Sequence, residues 1–306
     1  MNQSNLAPVV LFVYGRPIHT QRTIDALLQN PESKDTDLIV YSDGPKQHND
    51  TEKVESVREV IKKTLGFKSI NLIERTENLG LAANIIDGVT KVCEEYGKVI
   101  VLEDDIETSS TFLEYMNNAL CFYQNESRII SISGYSYPIT IPDNYKDDFY
   151  FLRIPLCWGW ATWNDRWKLF NKSDATINKI QPEEIVYVNF NNTLDFYSQA
   201  TDNMSGKLNT WFIFWYLSSF INKKLSVFPT KSLVTNIGND GTGENCGDDE
   251  RHLNISYNFH IKLTHKEVVE NNEIIKNHEN LFKSFKLSFY QKIIKKLRKI
   301  AHGIIR

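Results

Sequence analysis

Apolar residues in the first third of the chain come as short unbroken runs, separated by longer stretches of helical spacing. Val9-Val-Leu-Phe-Val-Tyr14 is continuous, as a strand buried on both faces requires. Ile24, Leu27 and Leu28 then recur at helix period, with Thr20 placed to cap them. Leu38-Ile-Val-Tyr41 predicts a second strand, ended by the turn chemistry of Ser42-Asp-Gly-Pro45. Val54, Val57, Val60 and Ile61 predict a helix, Ile70-Asn-Leu-Ile73 a third strand, and Ala82, Ile85, Ile86, Val89 and Val92 a further helix. Val99-Ile-Val-Leu102 predicts a fourth strand, directly before Glu103-Asp104-Asp105.

Strands alternating with amphipathic helices predict βαβ units and a mainly parallel sheet. Right-handed crossovers place the loops that follow such strands on one edge of the sheet, where ligands bind. Tyr14-Gly-Arg16, Ser42-Asp43-Gly44 and Glu103-Asp104-Asp105 are thereby expected at one crevice. The second half is less regular. Ser109 or Ser110 is placed to cap a helix through Phe112, Leu113, Met116, Ala119 and Leu120. Arg128 to Ser133 and Phe149 to Leu152 read as strands, Trp211 to Phe220 as a buried helix, and Asn236 to Gly243 as a glycine-rich loop.

Composition narrows the class. At 41% hydrophobic and 24% charged residues the chain is an ordinary globular one, which excludes disorder over most of its length. A net charge of −3 argues against a nucleic-acid partner. Cys93, Cys121, Cys157 and Cys246 form no C-x-x-C pair, and the expectation is buried, reduced thiols in a cytoplasmic protein. The N-terminal residues show no secretory signal and no run reaches membrane-spanning length. The charge is unevenly spread: residues 283–306 hold eight Lys and Arg and no acid, so the rest of the chain carries −11 against −3 for the whole. Along that tail Phe285, Phe289, Ile293, Leu297, Ile300 and Ile304 recur every three or four positions. That predicts a basic amphipathic helix, suited either to an anionic membrane surface on the inner face of the plasma membrane or to packing on its own domain.

Glu103-Asp104-Asp105 is the most informative feature. Three adjacent carboxylates repel one another, and stacking them at a strand end costs stability unless a cation neutralises them. Neighbouring side chains on extended backbone point to opposite sides, so only one or two can bind one ion. That pattern suits Mg²⁺ or Mn²⁺, which take one or two carboxylates and fill the rest of their shell with water and phosphate; the plainer reading is a solvated acidic turn. Asp43 could accept from a nucleobase or ribose, or close an Asx-turn. Arg16 could pair with a phosphate or a base. Gly80 and Asn84 stand where a strand leads into a helix N-terminus, which can receive an anion. Trp158-Gly-Trp160-Ala-Thr-Trp163 could stack on sugar or build core; Trp160 and Trp211 are expected on the substrate side. No G-x-S-x-G, H-E-x-x-H or Walker A pattern occurs.

In order, these elements resemble a nucleotide-sugar glycosyltransferase of the GT-A fold, from about Val9 to Gly243. The elements are a strand then Arg16, a strand then Asp43, Asn78-Leu-Gly-Leu81, Val101-Leu-Glu-Asp-Asp105, and Trp158-Gly-Trp160. The chain is similar to bacterial family 2-like polysaccharide sugar transferases and to the animal family 13 N-acetylglucosaminyltransferase. The resemblance implies a Rossmann-like α/β domain over 1–282, with a nucleotide-sugar half (1–108) and an acceptor half (109–282). It further implies Asp105 on a Mn²⁺ or Mg²⁺ ion, and Glu103 and Asp104 on ribose and base. Tyr14, Arg16, Asp43, Gly80 and Asn84 would be on the donor, with Arg16 and Asp43 holding uridine. The implied reaction moves a hexosyl or N-acetylhexosaminyl group, with inversion, from a UDP-sugar to a carbohydrate or lipid-linked glycan in bacterial surface polysaccharide or glycan synthesis. One departure stands out. Where inverting relatives place a carboxylate base before a tryptophan, this chain has Leu208-Asn209-Thr210-Trp211, and Asn209 cannot accept the acceptor proton. Asp240, or else Asp202, is expected to serve instead. A sugar nucleotidyltransferase and a non-catalytic nucleotide-sugar-binding protein are the alternatives.

Overall fold

The alternation of the first hundred residues becomes the central sheet. A computed structural model describes residues 6–238, 255–256 and 258–285. Strands β1 (Val9–Val13), β2 (Asp37–Ser42), β3 (Ser69–Glu74) and β4 (Lys98–Glu103) form where expected. They pair in parallel in the order β3-β2-β1-β4. Between them run α1 (Pro17–Leu28), α2 (Thr51–Lys63) and α3 (Leu81–Tyr96). The period of two along β1 divides the core. Val9, Leu11 and Val13 join Ile24, Leu27, Val57 and Ile61 of α1 and α2. Val10 and Phe12 face the other way, onto Ala82, Ile85 and Val89 of α3. A strand covered on both faces has no polar side, which is why its sequence is unbroken.

Beyond β4 the sheet continues through residues of the second half. β5 (Ile106–Thr108) leaves the main sheet, and α4 (Phe112–Phe122) leads to β6 (Ile129–Ser133), β7 (Phe149–Leu152) and β8 (Trp160–Trp163). The short helices α5 (Asn164–Trp167), α6 (Asp174–Ile177) and α7 (Ile185–Val188) precede α8 (Phe196–Met204) and α9 (Phe212–Ile221). Then come β9 (Leu225–Pro229), β10 (Val234–Asn236) and α10 (Asn272–Phe285). The full order is β3-β2-β1-β4-β8-β6-β9-β7, with β5 and β10 paired as a separate two-stranded sheet. The result is the mixed, mainly parallel α/β sheet expected of a GT-A domain. β8 runs antiparallel to β4, with Trp160 opposite Val101, so the Trp158-Gly159 end of β8 lies where β4 delivers its acids.

Several local expectations need correction. α1 starts at Pro17, whose missing N–H costs nothing at a helix start. Thr20 lies inside the first turn, and its hydroxyl donates to the Arg16 carbonyl at 2.9 Å. α4 is preceded by Thr111 rather than by Ser109 or Ser110. Of the cysteines, Cys93 is buried, but Cys121 is exposed and Cys157 half-buried; Cys246 lies outside the described residues. The basic tail expected over 283–306 lies outside them too, except for its first residues, which end α10. Among the described residues no helix is long and apolar enough to cross a membrane.

Candidate active site

Four strand ends meet on one edge, and their loops are tied to one another by charge and by backbone N–H groups. Arg16, one loop beyond β1, reaches the end of β4. Its Nη2 donates to Asp105 Oδ2 at 2.8 Å and also pairs with Asp104 Oδ1, while Nε donates to Asp104 Oδ2 at 3.3 Å. Asp104 and Asp105 are only 5% and 6% exposed. Thr23 of α1 donates to the Asp104 carbonyl at 2.8 Å and holds the turn in place. Burial pushes the Asp104 carboxyl above the usual range despite Arg16. Burial, then Asp105 and Asp104, hold the Glu103 carboxyl well above its ordinary value. Burial alone would lower the Arg16 pKa, but the two acids outweigh it and raise it.

The β2 loop is fastened to the loop before α3. Asp43 accepts from the N–H groups of Gly44 at 2.9 Å, Leu79 at 2.9 Å and Gly80 at 3.0 Å. Asn78 Nδ2 donates to the Gly44 carbonyl at 2.8 Å. Gly80 caps α3 with φ of +74°, which glycine adopts without penalty, and the space beside its Cα is open. Asn84 is buried and accepts from Arg75 Nε at 3.3 Å. Tyr14 donates to Asp50 at 2.9 Å and accepts from the Lys46 N–H at 3.0 Å. Two supporting arginines were not foreseen. Arg58 Nη2 donates to the Arg75 carbonyl at 2.7 Å and its Nε to Ser42 Oγ at 3.1 Å. Arg75 pairs with Asp87 and lies 5.1 Å from the Tyr41 ring centre.

The far wall comes from β10. It pairs antiparallel with β5, and the Ile237 N–H donates to the Asp105 carbonyl at 2.8 Å. This brings Gly238 onto the acids: a Cβ there would stand 2.2 Å from Asp105 Oδ2.

A family model described as glycosyl transferase family 2 matches residues 9–177, which include β1 to β4 and the loops that carry Arg16, Asp43, Asp104 and Asp105 but not β10 or Gly238. The chain belongs to glycosyl transferase family 2. The match carries the family 2 part of the expected resemblance and says nothing of family 13. Among solved structures, the transferase is similar to the mannosyltransferase PcManGT from Pyrobaculum calidifontis in complex with GDP-Man and Mn²⁺, at 8% identity and a TM-score of 0.39 over 72% of this chain and 71% of that one. S. aureus TarS matches at 11% identity and 0.37, over 74% of this chain and 36% of that one. The 4-diphosphocytidyl-2C-methyl-D-erythritol synthase from Anaerococcus prevotii DSM 20548 matches at 10% and 0.39, over 78% and 92%. Likeness at these levels bears on neither donor nor acceptor. No curated protein matches the chain.

In this glycosyltransferase the donors for a divalent cation are few. Among the described residues no three His, Cys, Asp or Glu side chains converge to hold a metal. Asp105 offers a buried carboxylate, and the Asp104 carboxylate is bound by Arg16 through both oxygens. A hard cation that keeps water and phosphate oxygens in its shell needs no more than one or two protein carboxylates. Gly238 packs against Asp105 Oδ2, and only its lack of a Cβ keeps that oxygen from a clash. The residues fit Mg²⁺ or Mn²⁺ on those terms, and do not fit an ion that needs a protein-built cage.

The tryptophans expected on substrate are core. Trp160 is fully buried and Trp211 is 4% exposed, and their rings stack at 5.5 Å. Trp167 and Trp215 complete the cluster, which lies with the α3 face of the sheet. Burial of four indoles outweighs any use as a stacking surface. Trp158 is the half-buried member of the motif, 4.9 Å from the Tyr135 ring. Gly159 beside it has φ of +61°, and its carbonyl oxygen accepts from the Gly134 N–H at 2.7 Å.

The base candidates are dispersed. Asn209, between α8 and α9, accepts from Lys172 Nζ. Asp202 of α8 pairs with Lys207 at 3.1 Å. No hydrogen bond or ion pair among the described residues joins either to Arg16, Asp104 or Asp105. Asp240 lies outside the described residues, two positions after Gly238.

Proposed function

We propose that this glycosyltransferase moves a sugar from a UDP-sugar to a hydroxyl of a carbohydrate or lipid-linked glycan, with inversion and with Mn²⁺ or Mg²⁺, in bacterial surface polysaccharide or glycan synthesis. The observation that supports it best is the Arg16–Asp104–Asp105 cluster at the joined ends of β1 and β4, closed by Gly238. Asp105 would hold the cation, and the bound cation supplies charge stabilisation to the departing diphosphate. Gly80 and the α3 N-terminus line the same edge, where backbone N–H groups favour an anion. Glu103 and Asp104 would order ribose and base behind it. Asp43, whose carboxylate already accepts three N–H groups, contributes by fixing the two donor loops. Asp240 is the proposed base, with Asp202 second, since an amide at 209 cannot take up a proton. The basic, apolar-patterned residues 283–306 support a peripheral place on an anionic membrane; co-sedimentation of the full chain with phosphatidylserine vesicles checks it, and no co-sedimentation at low salt removes it.

The deciding experiment uses Asp105→Ala with UDP and several UDP-sugars. Metal-dependent UDP binding is expected to be lost, along with metal-dependent release of UDP from the sugar nucleotides. Unchanged UDP affinity would sink the metal assignment. Release of pyrophosphate, rather than UDP, by the parent chain from UTP and a sugar phosphate would favour nucleotidyl transfer.

A further inference from the structure

Arg16 stands where a cation would be needed. The buried carboxylates of Asp104 and Asp105 face one guanidinium, which forks across both. Two buried acids so close together are tolerable only with a positive partner between them. The oxygen of Asp105 that Arg16 holds, Oδ2, is also the one Gly238 packs against, where a Cβ would stand only 2.2 Å away. A dication on that oxygen would sit against the guanidinium, and like charges at such range in a buried site repel strongly.

We propose that Arg16 is the resident counter-ion of this pair, and that a divalent cation enters by taking Asp105 from it while Asp104 retains it. The asymmetry of the contacts carries the choice. Asp104 holds Arg16 through both carboxylate oxygens, Nε and Nη2 together, whereas Asp105 holds it through Nη2 alone. Arg16 Nη1 is moreover buried with no hydrogen-bond partner among the described residues. A diphosphate arriving with the cation satisfies that group, so cation and nucleotide bind cooperatively through Arg16. No bond is made or broken in the exchange; one ion pair replaces another. The inference rests on the proposed role of Asp105 and adds the group that competes for it.

The test follows Mn²⁺ binding by loss of the free-ion EPR signal, first without nucleotide and then with saturating UDP or GDP. Arg16→Gln is expected to bind Mn²⁺ alone about tenfold more tightly than the parent, and to gain less from the nucleotide than the parent does. Its thermal midpoint without metal should fall, and should recover with Mn²⁺. Arg16→Lys keeps a charge in the fold but cannot fork two carboxylates. It should show a smaller gain of the same sign, and it decides the matter if the glutamine variant does not fold. Mn²⁺ affinity in these variants no tighter than the parent's overturns the exchange and leaves the metal role of Asp105 standing. Asp105→Ala that binds Mn²⁺ as the parent does removes both.

Discussion

Asp43 illustrates how one side chain ties two loops of a site together. Its two oxygens accept three N–H groups from two separate loops, and it is 5% exposed. Gly44 beside it lies against the Glu77 backbone, where a Cβ would stand 2.5 Å from a carbonyl carbon. Asp43→Ala should therefore release the loop before α3 and cost about 1–3 kcal/mol, the usual penalty for unpaired buried groups. Urea unfolding measures it, and Asp43→Asn, which keeps one acceptor oxygen, should lose less. An alanine variant as stable as the parent would refute the clamp. The turn at Ser42-Asp-Gly-Pro45 was legible, because turn residues act locally. Its grip on Leu79 and Gly80 was not, because those residues are distant in sequence. Arg58 did leave a local trace: it completes the buried set Val54, Val57, Arg58 and Ile61 of α2, a charge at a core position. A buried arginine at such a place marks a pairing site.

At the scale of elements, helix α3 and strands β1 and β2 meet with little clearance. A Cβ on Gly88 would lie 2.8 Å from the Phe12 ring and 3.0 Å from that of Tyr41. Those rings stack on each other at 5.6 Å, so neither has room to retreat. Gly88→Ala gains about 1 kcal/mol of helix propensity and is expected to lose about 1–3 kcal/mol to overpacking. The prediction is a lower thermal midpoint; a higher one would show that the rings yield. The same region explains why some elements were read and others missed. β1 to β4 are short apolar runs between amphipathic helices, a pattern that each segment declares alone. β8 is buried on both faces and lies within a run of tryptophans, so nothing in its sequence distinguishes strand from loop. β9 and β10 are short, and their pairing partners lie far away in the chain.

Across the whole molecule, α10 returns the chain to the sheet and seats His278 in the core. His278 Nδ1 donates to the Ile274 carbonyl at 2.9 Å, so its neutral Nε2 accepts from the Tyr150 hydroxyl at 3.3 Å. The rings of Tyr137, Tyr150, Phe190 and Phe282 surround it, between 5.5 and 6.2 Å away. Burial pushes its pKa down to about 4 from the ordinary 6.5. The folded state therefore binds fewer protons than the unfolded chain between those values, and stability falls as pH drops through that window. The contribution is complete above pH 6.5 and drains to nothing by about pH 4, a difference of about 3 kcal/mol. Urea midpoints at pH 7 and pH 4.5 should diverge in the parent and converge in His278→Phe; equal divergence in both would assign the acid sensitivity elsewhere.

The order of residues along the chain was enough for the parallel α/β core, for the common edge of the strand ends and for the acidic turn after β4. Each follows from patterns a few residues long, whose physics is local: side-chain period, turn chemistry, charge repulsion. It was not enough to say that Arg16 closes on Asp104 and Asp105, that Gly238 covers them, or that Trp160 and Trp211 are core. Those outcomes depend on which distant segments the sheet order places side by side, and burial and ion pairing have no value until that placement is made.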